Sequence, residues 1–146
     1  HTQDKARGRS SQETLDDVET ATDRAARMVF EGAGLRPQDV DIFNPYDGFT
    51  VFTQFFLEAF RWHGVKRGEA FDFFKGDISV KGPNPFCSGG GNQGNGRTRT
   101  AMYVDAIEQL RGKAGVRQVT TRAEVAVSGF ALPFTGGWLA LGKNPS

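Results

Sequence analysis

A phenol and a carboxylate stand side by side in Asn-Pro-Tyr-Asp-Gly-Phe-Thr at residues 44–50, a polar corner where Tyr46 could act as an acid or a base. A phenol of ordinary pKa, about 10, acts as a base only where its surroundings lower that value. Further along, residues 84–100 read Asn-Pro-Phe-Cys-Ser-Gly-Gly-Gly-Asn-Gln-Gly-Asn-Gly-Arg-Thr-Arg-Thr, with five glycines. Glycine is costly to order and packs nothing, so this density implies positive φ angles or close approach of another group. Placed before a helix, it also aims unpaired backbone N–H groups at whatever lies in front. Among Gly89, Gly90 and Gly94 at least one positive φ is expected, with replacement by valine disruptive. Gly89, Gly91 and Gly94 satisfy G-x-G-x-x-G, yet Lys81-Gly82-Pro83-Asn84-Pro85 before them cannot be a central strand. No Gly-Lys-Ser/Thr ending follows, which removes the P-loop as well.

These residues need elements to hold them. From Thr14 onward Leu15, Val18, Ala21, Ala25, Met28 and Val29 recur at helical spacing, with acids early and Arg24 and Arg27 late. Gly32 and Gly34 stop that helix. Residues 40–43 form a short strand, and the polar corner carrying Tyr46 joins it to a helix over residues 49–62. That helix shows Phe49, Phe52, Phe56, Ala59 and Phe60 on one side, has Asp47 as its natural N-cap and ends at Gly64. A shorter helical piece covers residues 69–75. After the glycine run, a helix over residues 100–110 buries Ala101, Val104, Ile107 and Leu110. Two strands, residues 124–130 and 137–141, close the chain. The alternation is α/β.

The 146 residues carry a net charge of +1, one domain's worth of chain without the basic surplus of a nucleic-acid binder. No apolar run approaches the length that spans a bilayer, and the start shows no signal-peptide pattern. Residues 1–13 are polar and read as a flexible lead-in to a domain over residues 14–146. The lone cysteine, Cys87, can form no internal disulfide, which fits a reducing cytoplasm. Eight of the thirteen phenylalanines fall between positions 49 and 74. Three strands are few to shield helices on both faces, so several of those rings are expected to stay wet and to mark an interface.

Five motifs, in this order, resemble the C-terminal half of thiolase-superfamily proteins. They are Ala33-Gly34-Leu35-x-Pro37-x-Asp39-Val40-Asp41, Tyr46-Asp47-x-Phe49-Thr50, Gly68-Glu69-Ala70, Ser88-Gly89-Gly90 and Gln109-Leu110-Arg111-Gly112. The resemblance is strongest to the lipid-transfer-protein branch, near the sterol-carrier thiolases, which includes aldolases that shorten steroid side chains as coenzyme A thioesters. It implies a mixed sheet with helices on its faces, an N-terminal half outside this chain, a homodimer, and in the aldolase branch a small OB-fold, zinc-ribbon partner. It implies an acyl-CoA substrate and no further cofactor or metal.

Carried over residue by residue, Tyr46-Asp47-Gly48-Phe49 stands where thiolases have Asn-Glu-Ala-Phe and the aldolase branch has Tyr-Asp-Ala-Phe. Gly96 stands where thiolases have the histidine of Gly-His-Pro, and Gly129-Phe130 near their Cys-x-Gly. Both C-terminal thiolase acid/base groups are therefore missing, which weighs against Claisen chemistry. The resemblance makes Tyr46 and Asp47 the candidate catalytic pair. Gly89, Gly90, Asn92, Asn95 and Arg97 are the candidates for binding the thioester and the coenzyme A tail, with Gln93 and Arg99 as possible neighbours. Cys87 aligns with a structural asparagine position and not with a nucleophile, and His63 reads as a helix-terminal residue. The expected activity is retro-aldol cleavage of a β-hydroxyacyl-CoA with a bulky, steroid-like acyl group. A thiolase-type acyltransferase, or a non-catalytic subunit shaping a partner's site, is the alternative.

Overall fold

The computed structural model describes residues 14–96, 100–130 and 136–144. Helix α1 (Leu15–Ala33) begins at Thr14, whose hydroxyl accepts from the Asp17 N–H at 3.2 Å. The Asp17 carboxylate accepts from the Thr14 N–H in return, also at 3.2 Å, completing a capping box. Gly34, left-handed at φ 63, closes the helix, while Gly32 lies within it. The buried stripe is Val18, Thr22 and Ala26, whereas Leu15 and Met28 are 64% and 56% exposed. The expected face is thus turned by about one residue. Thr22 can be buried because its hydroxyl donates back to the Val18 and Glu19 carbonyls, at 3.0 and 2.9 Å.

Strand β1 (Ile42–Asn44) starts two residues later than the 40–43 reading and takes in Asn44. It runs parallel to β2 (Val125–Phe130), which pairs antiparallel with β3 (Gly137–Gly142), giving the order β1-β2-β3. The register sets Phe43 opposite Val127 and Ile42 opposite Ala126. Alternation then sends the two pairs to opposite faces. Phe43 and Val127 join a core with Ala26 of α1 and with Phe56, Leu57 and Phe60 of α2 (Thr50–Phe60). Ile42 and Ala126 pack with Ala106 and Leu110 of α5 (Ala101–Leu110). The small mixed sheet therefore carries helices on both faces.

The expectation that several of the phenylalanines stay wet is met at two of the eight positions. Between positions 49 and 74 only Phe49 and Phe71 are exposed. The other rings cover one another. Phe60 lies 4.3 Å from Trp138 and 5.1 Å from Phe43, and Phe43 lies 5.6 Å from Trp62, all between ring centroids. Trp62 is fully buried, and its indole N–H donates to the Val40 carbonyl at 3.0 Å.

Helix α2 ends earlier than the 49–62 reading. Arg61, at φ 49, turns the chain left-handed, and His63, at φ 53, does so again inside the short turn Trp62–Gly64. For a residue with a Cβ, each such turn costs on the order of 1–2 kcal/mol. Helix α3 (Ala70–Phe73) is a single turn, and α4 (Gly91–Asn95) arises within the glycine run, where no helix is expected from sequence. Helix α5 buries Met102, Asp105, Ala106, Gln109 and Leu110, while Val104 and Ile107 are exposed. Its expected face of Ala101, Val104 and Ile107 is again turned by one residue. Here the cause is a polar network that draws Asp105 and Gln109 inward.

Candidate active site

The site lies at the carboxyl end of β1, where the chain passes through Pro45, Tyr46 and Asp47, all buried, into α2. Open α/β sheets place their ligands beyond this end of the strands. The segment before the glycine run lies along the free edge of β1: Phe43 bridges to Phe86, and the Cys87 N–H donates to the Phe43 carbonyl at 3.3 Å. The glycine run thus starts beside Tyr46 and Asp47, although about forty residues separate them in the chain.

Tyr46 is only 6% exposed, and its ring folds back over Gly48, where a methyl group would overlap the hydroxyl. The Tyr46 hydroxyl has no hydrogen-bond partner among the described residues. The other tyrosine is occupied, since the Tyr103 hydroxyl donates to the Gly137 carbonyl at 3.0 Å.

Asp47 does not cap α2. The residue at that cap is Phe49, without a side-chain bond. Instead the Asp47 carboxylate caps α4. One oxygen accepts from the Asn92 N–H at 2.6 Å and the Asn92 side-chain amide at 2.9 Å, and the other from the Gln93 N–H at 3.3 Å. The Gln93 side chain donates to the Asp47 carbonyl at 2.9 Å. A carboxylate so engaged holds the loop in place.

Of the binding candidates, Gly90 has the positive φ expected of the run, at 85, and Gly91 adds another at 56. Gly89 sits where a Cβ would come within 2.9 Å of Asp105. Gly94 departs from expectation, with open space around it and no left-handed geometry, so a side chain there meets no obstacle. The exposed Asn95 donates its side-chain amide to the Gly89 carbonyl. Asn92 is buried, and because its amide nitrogen is committed to Asp47, its Oδ1 is left buried with no partner. Asn92 can therefore accept a hydrogen bond from a ligand hydroxyl but has no free donor for a thioester oxygen. Arg97 and Arg99 lie outside the described residues.

A second carboxylate was not legible as part of this region. Asp105, 2% exposed, accepts from the Ser88 hydroxyl at 2.5 Å and from the Asn44 side-chain amide at 3.0 Å, and pairs with Arg117. Asn44 in turn accepts from the Ser88 N–H at 3.2 Å. Gln109 donates to Asp105 at 3.4 Å and to the Arg117 carbonyl at 2.7 Å, and accepts from the Val119 N–H at 3.0 Å. The signal available in the sequence was an Asp and a Gln four apart, on the same helix face as Met102 and Ala106. Together Asp47 and Asp105 clamp the glycine run from both ends. Burial first, and then these two carboxylates, push the Cys87 thiol well above its ordinary value, which leaves it protonated and a poor nucleophile. Among the described residues no cluster of three or more His, Cys, Asp or Glu could hold a metal ion, and no helix is long and apolar enough to cross a membrane.

A solved Ltp2-ChsH2(DUF35) aldolase superposes with a TM-score of 0.72 at 23% identity, over 86% of this chain and 32% of that one, and so has a similar fold. A 17-hydroxy-3-oxo-4-pregnene-20-carboxyl-CoA lyase of Mycobacterium tuberculosis is 35% identical over 108 residues, 69% of this chain and 28% of the lyase. Acetyl-CoA acetyltransferase of Methanothermobacter thermautotrophicus is 34% identical over 104 residues, 68% of this chain and 27% of the enzyme. Sterol carrier protein 2 of Oryctolagus cuniculus is 34% identical over 99 residues, 65% of this chain and 18% of that protein. The chain thus spans about a quarter of the length of the two enzymes it matches, and less of the third relative. The family model described as thiolase C-terminal domain-like covers residues 4–137, and the chain belongs to that family.

Proposed function

We propose that residues 14–146 are the C-terminal domain of a longer thiolase-like enzyme that cleaves a carbon–carbon bond in a β-hydroxyacyl-CoA by a retro-aldol reaction. The observation that carries this reading is the Tyr46 hydroxyl, without a hydrogen-bond partner among the described residues, beside the clamped loop. Asp47 connects the two, following Tyr46 in the chain and holding Asn92 through its carboxylate. In the reaction, Tyr46 is the general base that takes the proton of the β-hydroxyl group. The Cα–Cβ bond then breaks, its electron pair moving to Cα to give the thioester enolate, while the β-carbon leaves as a carbonyl compound. Protonation of Cα completes the acyl-CoA product. Asn92 binds the Asp47 carboxylate and so keeps the loop in place beside the corner that carries Tyr46. Asp47 is a positioning residue, and Gly89, Gly90 and Asn95 shape the loop. Arg97 is assigned to the phosphates of the coenzyme A tail on sequence position alone.

The lyase relative supports a bulky, steroid-like acyl group. The acetyltransferase relative supports the competing reading, acyl transfer with a nucleophile supplied from outside this chain. The protonated state of Cys87 gives that reading no nucleophile here. A homodimer and a small OB-fold, zinc-ribbon partner complete the proposal, and the chain by itself is inactive.

The test uses the full-length protein, offered β-hydroxyacyl-CoA and β-ketoacyl-CoA in parallel. Cleavage of the first alone is expected, and thiolysis of the second would replace the lyase with the acyltransferase. Tyr46→Phe should lower turnover on the hydroxy substrate by roughly 10²–10⁴-fold with an unchanged melting temperature. Wild-type turnover in that variant would remove Tyr46 from the chemistry.

A further inference from the structure

At the opposite, amino end of β1 lies a cleft of about 660 Å³, a volume within the usual range for small-molecule sites. Arg61, Lys66 and Arg122 line it, against Asp41 as the one acidic side chain of the lining. Asp41 is already engaged, lying 3.4 Å from Arg122 and accepting from the Glu124 and Val125 N–H groups at 2.8 and 3.0 Å. Among the described residues, neither Arg61 nor the Lys66 ammonium has a carboxylate within ion-pair distance. Arg122 also lies 3.7 Å from Glu124, so the surplus charge of the cleft rests on Arg61 and Lys66.

Two further observations point to a ligand. The hydroxyl of Thr121, which lines the cleft, is buried and has no hydrogen-bond partner. And the wall formed by residues 61–64 is left-handed at Arg61 and at His63, with φ 49 and 53, positions where glycine would be relaxed. Such strain gathers where a side chain is needed in a fixed place. Arg61 lines the cleft from an unfavourable backbone.

We propose that this cleft binds a small organic phosphate monoester. Its dianionic head is held by Arg61, Lys66, Arg122 and the Thr121 hydroxyl, and its body lies on Val40 and the neighbouring prolines. Three cations and a free hydroxyl suit the charge and the several acceptor oxygens of a phosphate better than a single carboxylate. The apolar walls favour an organic ester over the free ion. The cleft and the catalytic candidates lie at opposite ends of the same strand, so the inference stands apart from the proposed reaction.

Adenosine 5′-monophosphate, inorganic phosphate and adenosine are the probes, titrated calorimetrically into the protein, with backbone amide shifts to locate binding. The monophosphate is expected to bind with a Kd below about 1 mM, at least tenfold tighter than phosphate, with shifts at residues 61–66 and 121–122. Adenosine is expected not to bind. Arg61→Gly should weaken binding at least tenfold while the melting temperature stays level or rises, because glycine suits that backbone. Lys66→Gln should weaken binding to a similar degree. Failure of the monophosphate to bind, shifts confined to residues 88–95, or full affinity in both variants would overturn the site. Equal affinity for inorganic phosphate would overturn the ligand class.

Discussion

The two ends of strand β1 solve opposite problems. At the carboxyl end, Asp47 and Asp105 are buried, and both carboxylates meet donors that include residues 45 to 61 positions away. Gly90 and Gly91 there adopt left-handed geometry that suits them, and Cys87, at φ 48, is the one residue with a side chain at this end that shares it. At the amino end, Arg61 and Lys66 stand without acids among the described residues, and the left-handed positions fall to arginine and histidine. The first end is held by its two carboxylates and should lose stability when either is removed. The second holds unfavourable backbone, so some of its substitutions should raise stability. Stability measurements alone can therefore tell a region built to hold a shape from one that sacrifices stability for its side chains.

The largest structural effect expected of a single substitution is at Asp105. Its removal leaves Asn44, Ser88 and the Arg117 guanidinium without their shared acceptor. Arg117 is 41% exposed and water can take up its charge, which keeps the loss at the low end of the range for broken buried pairs. Asp105→Ala should lower stability by about 3 kcal/mol, or roughly 6–12 °C in melting temperature. Arg117→Met, which leaves Asn44 and Ser88 on the carboxylate, should cost less. Equal losses in the two variants, by calorimetry, would mean that the ion pair and not the clamp on the glycine run is what matters.

A mirrored pair of substitutions sharpens the contrast. In Gly91→Ala the added methyl would overlap the Asp47 carboxylate on a backbone at φ 56, so a loss of about 2 kcal/mol is expected. Gly94→Ala, with open space around it, should be neutral or slightly stabilising within the short helix. Arg61→Gly should gain about 1 kcal/mol by relieving its left-handed turn. Urea midpoints for the three variants provide the check. A destabilised Arg61→Gly would erase the distinction between the two ends.

The outline of these ends was legible in the sequence, but their partners were not. The Gly34 stop, the position of the glycine run beside a helix start, and Tyr46 in a strand-to-helix corner follow from local pattern. Asp47 read as a cap for the helix just after it because capping is normally local. Its true partners, Asn92 and Gln93, lie 45 and 46 positions away. The same blindness turned the buried face of α5. Apolar periodicity favoured Val104 and Ile107, whereas Asp105 goes inward because Asn44, 61 positions earlier, offers it an amide. Arg61 and His63 gave no warning of left-handed geometry, since that turn normally announces itself with glycine. The mutual covering of the phenylalanines depends on which rings meet across layers, a property of the assembled fold.

The smallest effect expected belongs to His63, and it tests the amino end through protons. Burial disfavours its charged form and lowers its pKa below the ordinary histidine value, with the attraction of Asp41 opposing the shift. As pH falls, the unfolded chain therefore takes up the proton first. Stability contributed by neutral His63 is fully present above the ordinary value near 6.5 and declines as pH drops through it, levelling off once the folded form is also protonated. His63→Asn should flatten this part of the profile without straining the backbone, because asparagine tolerates the left-handed region better than most residues. Asp41→Asn should act in the other direction. With the opposing carboxylate charge gone, the folded-state value falls further and the acid loss between pH 7.5 and 5.5 deepens. Urea midpoints at those two pH values for the three proteins decide the matter. Identical pH slopes in wild type and His63→Asn would show that the imidazole titrates alike folded and unfolded, and that its packing against Trp62 does not desolvate it.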